Sequence, residues 1–164
     1  MKKSLFAIFV GLLVLGCAGI GGGGSQKEEP IQEITADMSM DQMREVLLAK
    51  AKKVVNANAA NISSAFMSSD KAELERQKAL LVKEKECITG NTASCIAAGD
   101  GFTGDYDNAM TFYQVACVLK DTNGCKSAAT LYTKNKVAQT NPTLGYLLDA
   151  VCGSGVGGAC NLLK

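Results

Sequence analysis

The chain has no histidine and no tryptophan among its 164 residues, only two prolines and only five phenylalanines. The missing histidine removes the commonest general base and the commonest transition-metal ligand from any proposed chemistry. An excess of one charge sign is also lacking, since 17 Lys and Arg face 16 Asp and Glu. A balance this close to zero gives no electrostatic footprint for nucleic acid, and no nucleic-acid partner is expected. Strand signals are scarce: alternating β-branched runs are few, and no Asn-Gly turn joins two strand-like segments. No apolar run is long enough to span a bilayer, the one candidate being the short stretch from Leu5 to Leu15.

That stretch follows Lys2 and Lys3 and ends in Leu13-Val14-Leu15-Gly16-Cys17, which resembles a bacterial lipobox. Residues 1–16 are therefore expected to be a lipoprotein signal peptide, with Cys17 acylated and left as the first residue after cleavage. Each buried methylene of an acyl chain contributes about 0.8 kcal/mol, so a multiply acylated Cys17 holds a protein on a membrane without a spanning helix. Ala18, rather than aspartate, follows the cysteine and favours the outer membrane, facing the periplasm. Losing Lys2 and Lys3 with the signal takes the balance from 17 basic against 16 acidic residues to 15 against 16. Residues 17–30 then form a Gly-rich tether with a reach of about 20 Å. Its glycine run lacks the Lys-Ser or Lys-Thr pair and the preceding strand of a phosphate loop, so no nucleotide cofactor is expected.

Cysteine is what the chain has in abundance, with seven residues. Setting Cys17 aside leaves three pairs of identical C-x7-C spacing: Cys87 and Cys95, Cys117 and Cys125, Cys152 and Cys160. The unit recurs after 30 and then 35 residues. A pair of antiparallel helices joined by a short turn brings the end of one beside the first turn of the next. There the α-carbons come within the roughly 4.4–6.8 Å that a disulfide needs. An oxidising periplasm makes disulfides the expected state of all six. Zinc sites usually pair ligands at closer spacing, and redox catalysis typically uses C-x-x-C, so both alternatives fit the spacing poorly. Each nine-residue loop is worth about 2.6 kcal/mol in the chain-entropy model, which would substitute for a thin core.

Helical periodicity covers the rest, and the fold class is expected to be all-α. Residues 31–69 form an N-terminal capping helix or helices. Ser39 with Gln42 resembles a capping box, and Met43, Leu47, Ala51 and Val54 follow up one face. The helix is expected to run to about Met67. Asp70, three residues before Glu73, starts the next helix, which carries Leu74, Leu81 and Ile88 at heptad spacing and ends at Gly90 and Asn91. In each later unit a helix ends in Cys, a polar Gly-containing turn follows, and the second Cys opens another helix. The middle unit has helices over 107–118 and from about Cys125. In the last, Asn141 caps a helix with Pro142 near its start, running to Cys152, and only residues 161–164 remain for its partner.

Residues Ala109, Tyr113, Ala116, Cys117, Cys125, Ala128, Leu131 and Tyr132 resemble the Sel-like repeat, a relative of tetratricopeptide repeats. More narrowly they are similar to its disulfide-bonded form in the Helicobacter cysteine-rich protein family. The resemblance spans about residues 74–164, with the first interval shortened in the loop over 99–106. It implies an α/α solenoid of three disulfide-stapled helical hairpins over residues 70–164, with a concave face that binds a protein or peptide partner. It also implies a second activity class, β-lactamase or penicillin binding. An immunity-type lipoprotein is a third reading.

Ser68-Ser69-Asp70-Lys71 has the S-x-x-K form of penicillin-recognising serine enzymes, but neither Ser-Asp-Asn nor Lys-Thr-Gly accompanies it. Asp70 reads instead as a helix cap. Glu73, Glu75, Glu84 and Glu86 read as the solvated face of their helix. Tyr106, Phe112, Tyr113, Tyr132 and Tyr146 read chiefly as core. No catalytic residue, metal or cofactor is assigned.

Overall fold

Ser39 and Gln42 close the start of the first helix in the structure, a computed structural model that describes residues 30–65, 70–134, 136–138 and 142–163. The Ser39 amide donates to Gln42 Oε1 at 2.8 Å and the Gln42 amide donates to Ser39 Oγ at 3.3 Å, the reciprocal pair of a capping box. Helix α1 then runs over Met40–Ala65. Its buried row is Met43, Leu47, Ala51 and Val55, joined by Val46. Val54, expected on that row, is half-buried, because the third step of four residues reaches Val55.

Six further helices follow: α2 (Lys71–Ile88), α3 (Thr92–Gly101), α4 (Tyr106–Val118), α5 (Thr122–Thr133), α6 (Thr143–Gly153) and α7 (Gly157–Cys160). Among the described residues there is no strand, as the all-α reading expects. Asp70 caps α2, its carboxylate accepting from the Ala72 amide at 2.9 Å. Ser68 and Asn141 lie outside the described residues, as do Cys17, the signal and most of the tether. No described helix is long and apolar enough to cross a membrane.

The helices from α2 onward fall into pairs, α2 with α3, α4 with α5 and α6 with α7, and all three pairs share one joint. The connections are residues 89–91, 119–121 and 154–156, three residues each. The middle residue of each has a left-handed backbone: Gly90 at φ 103°, Lys120 at 69° and Gly155 at 93°. Its amide donates to the carbonyl of the cysteine three residues earlier, at 2.8, 2.8 and 2.9 Å respectively. The next amide reaches back to Glu86, Ala116 or Val151 at 3.2, 3.0 and 3.4 Å. These two bonds satisfy helix-end carbonyls in the Schellman manner. The residue that closes the first helix also begins the second: Asn91 caps α3 through the Ser94 amide, and Asp121 caps α5 through Asn123 and Gly124.

Across each joint runs a disulfide, Cys87–Cys95, Cys117–Cys125 and Cys152–Cys160, with α-carbons 4.5, 4.5 and 4.8 Å apart. The second helix begins three residues before its cysteine, not at it, because the cap sits at Asn91, Asp121 and Val156. The last pair shows the same offset, so its second helix is Gly157–Cys160 and not residues 161–164. The loop expected over 99–106 is shorter, since α3 continues through Gly101. In the middle joint the glycine is not in the turn. Gly124 lies inside α5, where a Cβ would meet the Cβ of Ala116 and come 2.9 Å from the Cys117 amide.

Helix α4 is the centre of the packing, touching α1, α2, α3, α5 and α6. Residues 112–118 are all buried, so the last two turns of α4 have no solvent face, and its exposed side chain is Asp107 in the first turn. Phe112 has no exposed surface and stacks on Phe102 with centroids 5.5 Å apart, while Tyr113 Oη donates to Asp100 at 2.6 Å. Tyr106, Tyr132 and Tyr146 are half-buried. The sequence reading sets residues 31–69 as a cap on the repeats, but α1 lies against α2, α4 and α6 and, among the described residues, not against α3, α5 or α7. The chain is thus arranged in three rows, with α1 over the first helices of the pairs and the second helices behind them. An apolar row four turns long can cover more than one neighbour, and that is what this one does.

Candidate ligand-binding cleft

The helical stripe of α2 explains how an acidic side chain enters the interior. Leu81, Glu84 and Ile88 are spaced three and then four residues apart, so they share one face, and Cys87 ends that face at the disulfide. Leu74, Glu84 and Cys87 are the buried residues of the helix. The solvated face expected for Glu73, Glu75, Glu84 and Glu86 therefore holds for Glu75 but fails for Glu84, which has no exposed surface. Helix α1 covers it. Glu73 and Glu86 are half-buried, each tied to a basic neighbour.

Asn58 of α1 donates from Nδ2 to Glu84 Oε1 at 2.7 Å. The other oxygen, Oε2, is buried and has no hydrogen-bond partner. Burial pushes the Glu84 carboxyl above its ordinary range, and the Asn58 bond only partly opposes it. An orphaned buried acceptor costs roughly 1–3 kcal/mol, and more if charged, so this oxygen is an unusual feature of the fold.

Glu84 lines a cleft of about 240 Å³ bounded by α1, α2 and the connection between α3 and α4. Its polar lining is Asn58, Asn61, Arg76, Gln77, Thr103 and Asp105, and its apolar walls are Ile62, Leu80 and Phe102. Arg76 is already committed. Its Nε and Nη2 donate to the two oxygens of Glu73 at 2.8 and 2.7 Å, and Nη1 donates to the Gly101 carbonyl at 3.3 Å. Arg76, helped by Gln77, holds the Glu73 carboxyl down at about 2. Asp105 caps α4, accepting from the Asn108 amide at 3.2 Å and from Asn108 Nδ2 at 2.7 Å.

A larger groove of about 500 Å³, between α5, α6 and the residues after α7, is lined mainly by apolar side chains such as Leu144, Leu148 and Leu162. None of the buried polar residues of the described chain, Glu84, Ser94, Gln114 and Thr143, lines it. The chemistry is concentrated at Glu84. Of the site residues marked in the sequence, the six paired cysteines form the three clamps, and Cys17 lies outside the described residues. Compared with known proteins, the chain has no match: no family model, no curated protein and no solved structure.

Proposed function

We propose that the protein is a lipid-anchored envelope component that binds a protein or peptide partner, built as an α/α solenoid of Sel-like hairpins and tethered through Cys17 to the outer membrane on its periplasmic side. The observation that carries this reading is the cleft: a scaffold clamped by three disulfides holds open a pocket beside a buried carboxylate oxygen that nothing in the described chain satisfies. Disulfides suit an oxidising compartment outside the cytoplasm, and the lipobox-like run ending at Cys17 supplies the anchor. Because α1 lies over α2, α4 and α6, a partner approaches where α1 meets α2, not along the whole face of the first helices.

The test is affinity capture from detergent-solubilised envelopes, with oxidised and reduced protein side by side. A partner held by the oxidised form and lost on reduction supports the reading. Equal capture by both forms, or none by either, counts against it. Cys17→Ser is expected to move the protein from the membrane to the soluble fraction. Turnover of nitrocefin by the purified domain would favour the β-lactamase reading instead.

A further inference from the structure

We propose that the cleft between α1 and α2 is a binding site for a positively charged nitrogen, an ammonium or guanidinium group that displaces the side chains over Glu84 Oε2, an oxygen with no exposed surface, and donates a hydrogen bond to it. The inference rests on the partner-binding reading for one point only, that the nitrogen belongs to a Lys or Arg side chain of a peptide and not to a free amine.

Three observations select this ligand class. The first is the charge tally. The ionisable groups lining the cleft are Arg76, Glu84 and Asp105, and Arg76 is neutralised by its two bonds to Glu73, so the cleft is left acidic. An anion would meet Glu84 with no uncommitted cation beside it. The second is the donor count. Glu84 has one oxygen bonded to Asn58 and one without a donor, which calls for a single N–H and gains most if that donor is charged. A metal ion needs several oxygen ligands at once, and among the described residues no three acidic, cysteine or histidine side chains converge.

The third is shape. At about 240 Å³ the cleft is smaller than the roughly 300–1,000 Å³ of pockets that take drug-sized molecules, and it admits one side chain. Its walls of Ile62, Leu80 and Phe102 suit the methylene stem that carries a Lys or Arg head group. The amide side chains of Asn61 and Gln77 add to the polar lining of the cleft, Gln77 also donating to Glu73 at 2.9 Å.

The experiment is calorimetric titration of the oxidised full chain in detergent with n-butylammonium, the blocked amides of lysine and arginine, the blocked amide of norleucine, and a lysine-containing peptide. The charged probes are expected to saturate one site, with the norleucine amide weaker by about tenfold or more. Glu84→Gln keeps the shape and is expected to weaken the charged probes by about tenfold, with the helical circular dichroism unchanged. Ile62→Trp, which narrows the cleft from α1 and leaves the carboxylate in place, is expected to weaken all of them. Binding of the peptide alone assigns the nitrogen to a protein partner. Binding of the small amines without any captured envelope protein keeps the site and removes the partner. Equal affinity for lysine and norleucine amides, indifference to Glu84→Gln, or no saturable binding by any probe overturns the proposal.

Discussion

Asn58 and Glu84 join α1 to α2 by a 2.7 Å hydrogen bond to a carboxylate that has no exposed surface. Removing the donor leaves both carboxylate oxygens without a partner. Asn58→Ala is expected to destabilise the fold by about 1–3 kcal/mol, measured as a fall in the urea midpoint.

The same carboxylate gives a pH signature. Burial raises its folded value above the ordinary 4.5, so the folded chain holds this proton more tightly than the unfolded one. Stability from this group is complete below the ordinary value and is lost as pH rises through the folded value. Other carboxylates, Glu73, Glu75 and Glu86, are shifted the opposite way and would mask the effect in the wild type alone. The difference between Glu84→Gln and wild type isolates it, apart from Arg76 and Asp105 at the cleft, which both proteins share. The variant is expected to gain on the wild type as pH rises above about 4.5, with the two converging in acid. A difference that stays flat with pH would show that Glu84 titrates normally.

Lys120 occupies the left-handed position that Gly90 and Gly155 hold in the other two joints. Lys120→Gly is expected to stabilise by about 0.5–1 kcal/mol, and Gly90→Ala or Gly155→Ala to cost about 1 kcal/mol. Nothing lies within 4 Å of a Cβ at either glycine, so the cost is one of backbone conformation. Chemical denaturation of the three variants checks the sign.

Gly124 makes a different case, since its backbone lies against α4. Gly124→Ala is expected to cost about 1–3 kcal/mol by forcing α4 and α5 apart. The corresponding positions before Cys95 and Cys160 are Ser94 and Ala159, so those pairs already accommodate a Cβ. Melting temperature and the rate of Cys117–Cys125 reduction are the readouts.

Access distinguishes the disulfides. Cys87, Cys95, Cys117 and Cys125 have no exposed surface, whereas Cys152 and Cys160 are half-buried. Stepwise reduction followed by alkylation and mass mapping is expected to open Cys152–Cys160 first. Its loss is worth about 2.6 kcal/mol in the chain-entropy model, and is expected to appear as a first, partial fall in stability.

The parts of this fold legible in the sequence are those set by neighbours in the chain. C-x7-C spacing matches a joint of fixed length, and the Ser39–Gln42 and Asp70 caps are local hydrogen bonds. What the sequence concealed depends on distant contacts. In Lys83-Glu84-Lys85-Glu86 the alternating charges read as solvated, although the spacing of Glu84 from Leu81 and Ile88 already put it on the apolar stripe. Only α1, some 26 residues away through Asn58, makes that position interior. The position of α1 was equally hidden, because a buried row shows that a helix has a covered face and not which helices cover it. At the middle joint the sequence hid only the left-handed position, which Lys120 holds where the other two joints have glycine.

The three-residue joint has a consequence for how this chain can change length. Between the cysteines of a pair every position is committed: the left-handed residue, the shared cap, the first turn and the bridge all count from the same start. An extra residue there would throw all four out of register. Between pairs no disulfide fixes the count, although Asp105 still caps α4. Growth, loss or grafting of sequence is therefore expected between the pairs, after Gly101 and after Thr133, and it is there that one interval of 30 residues and another of 35 can coexist around the same cassette.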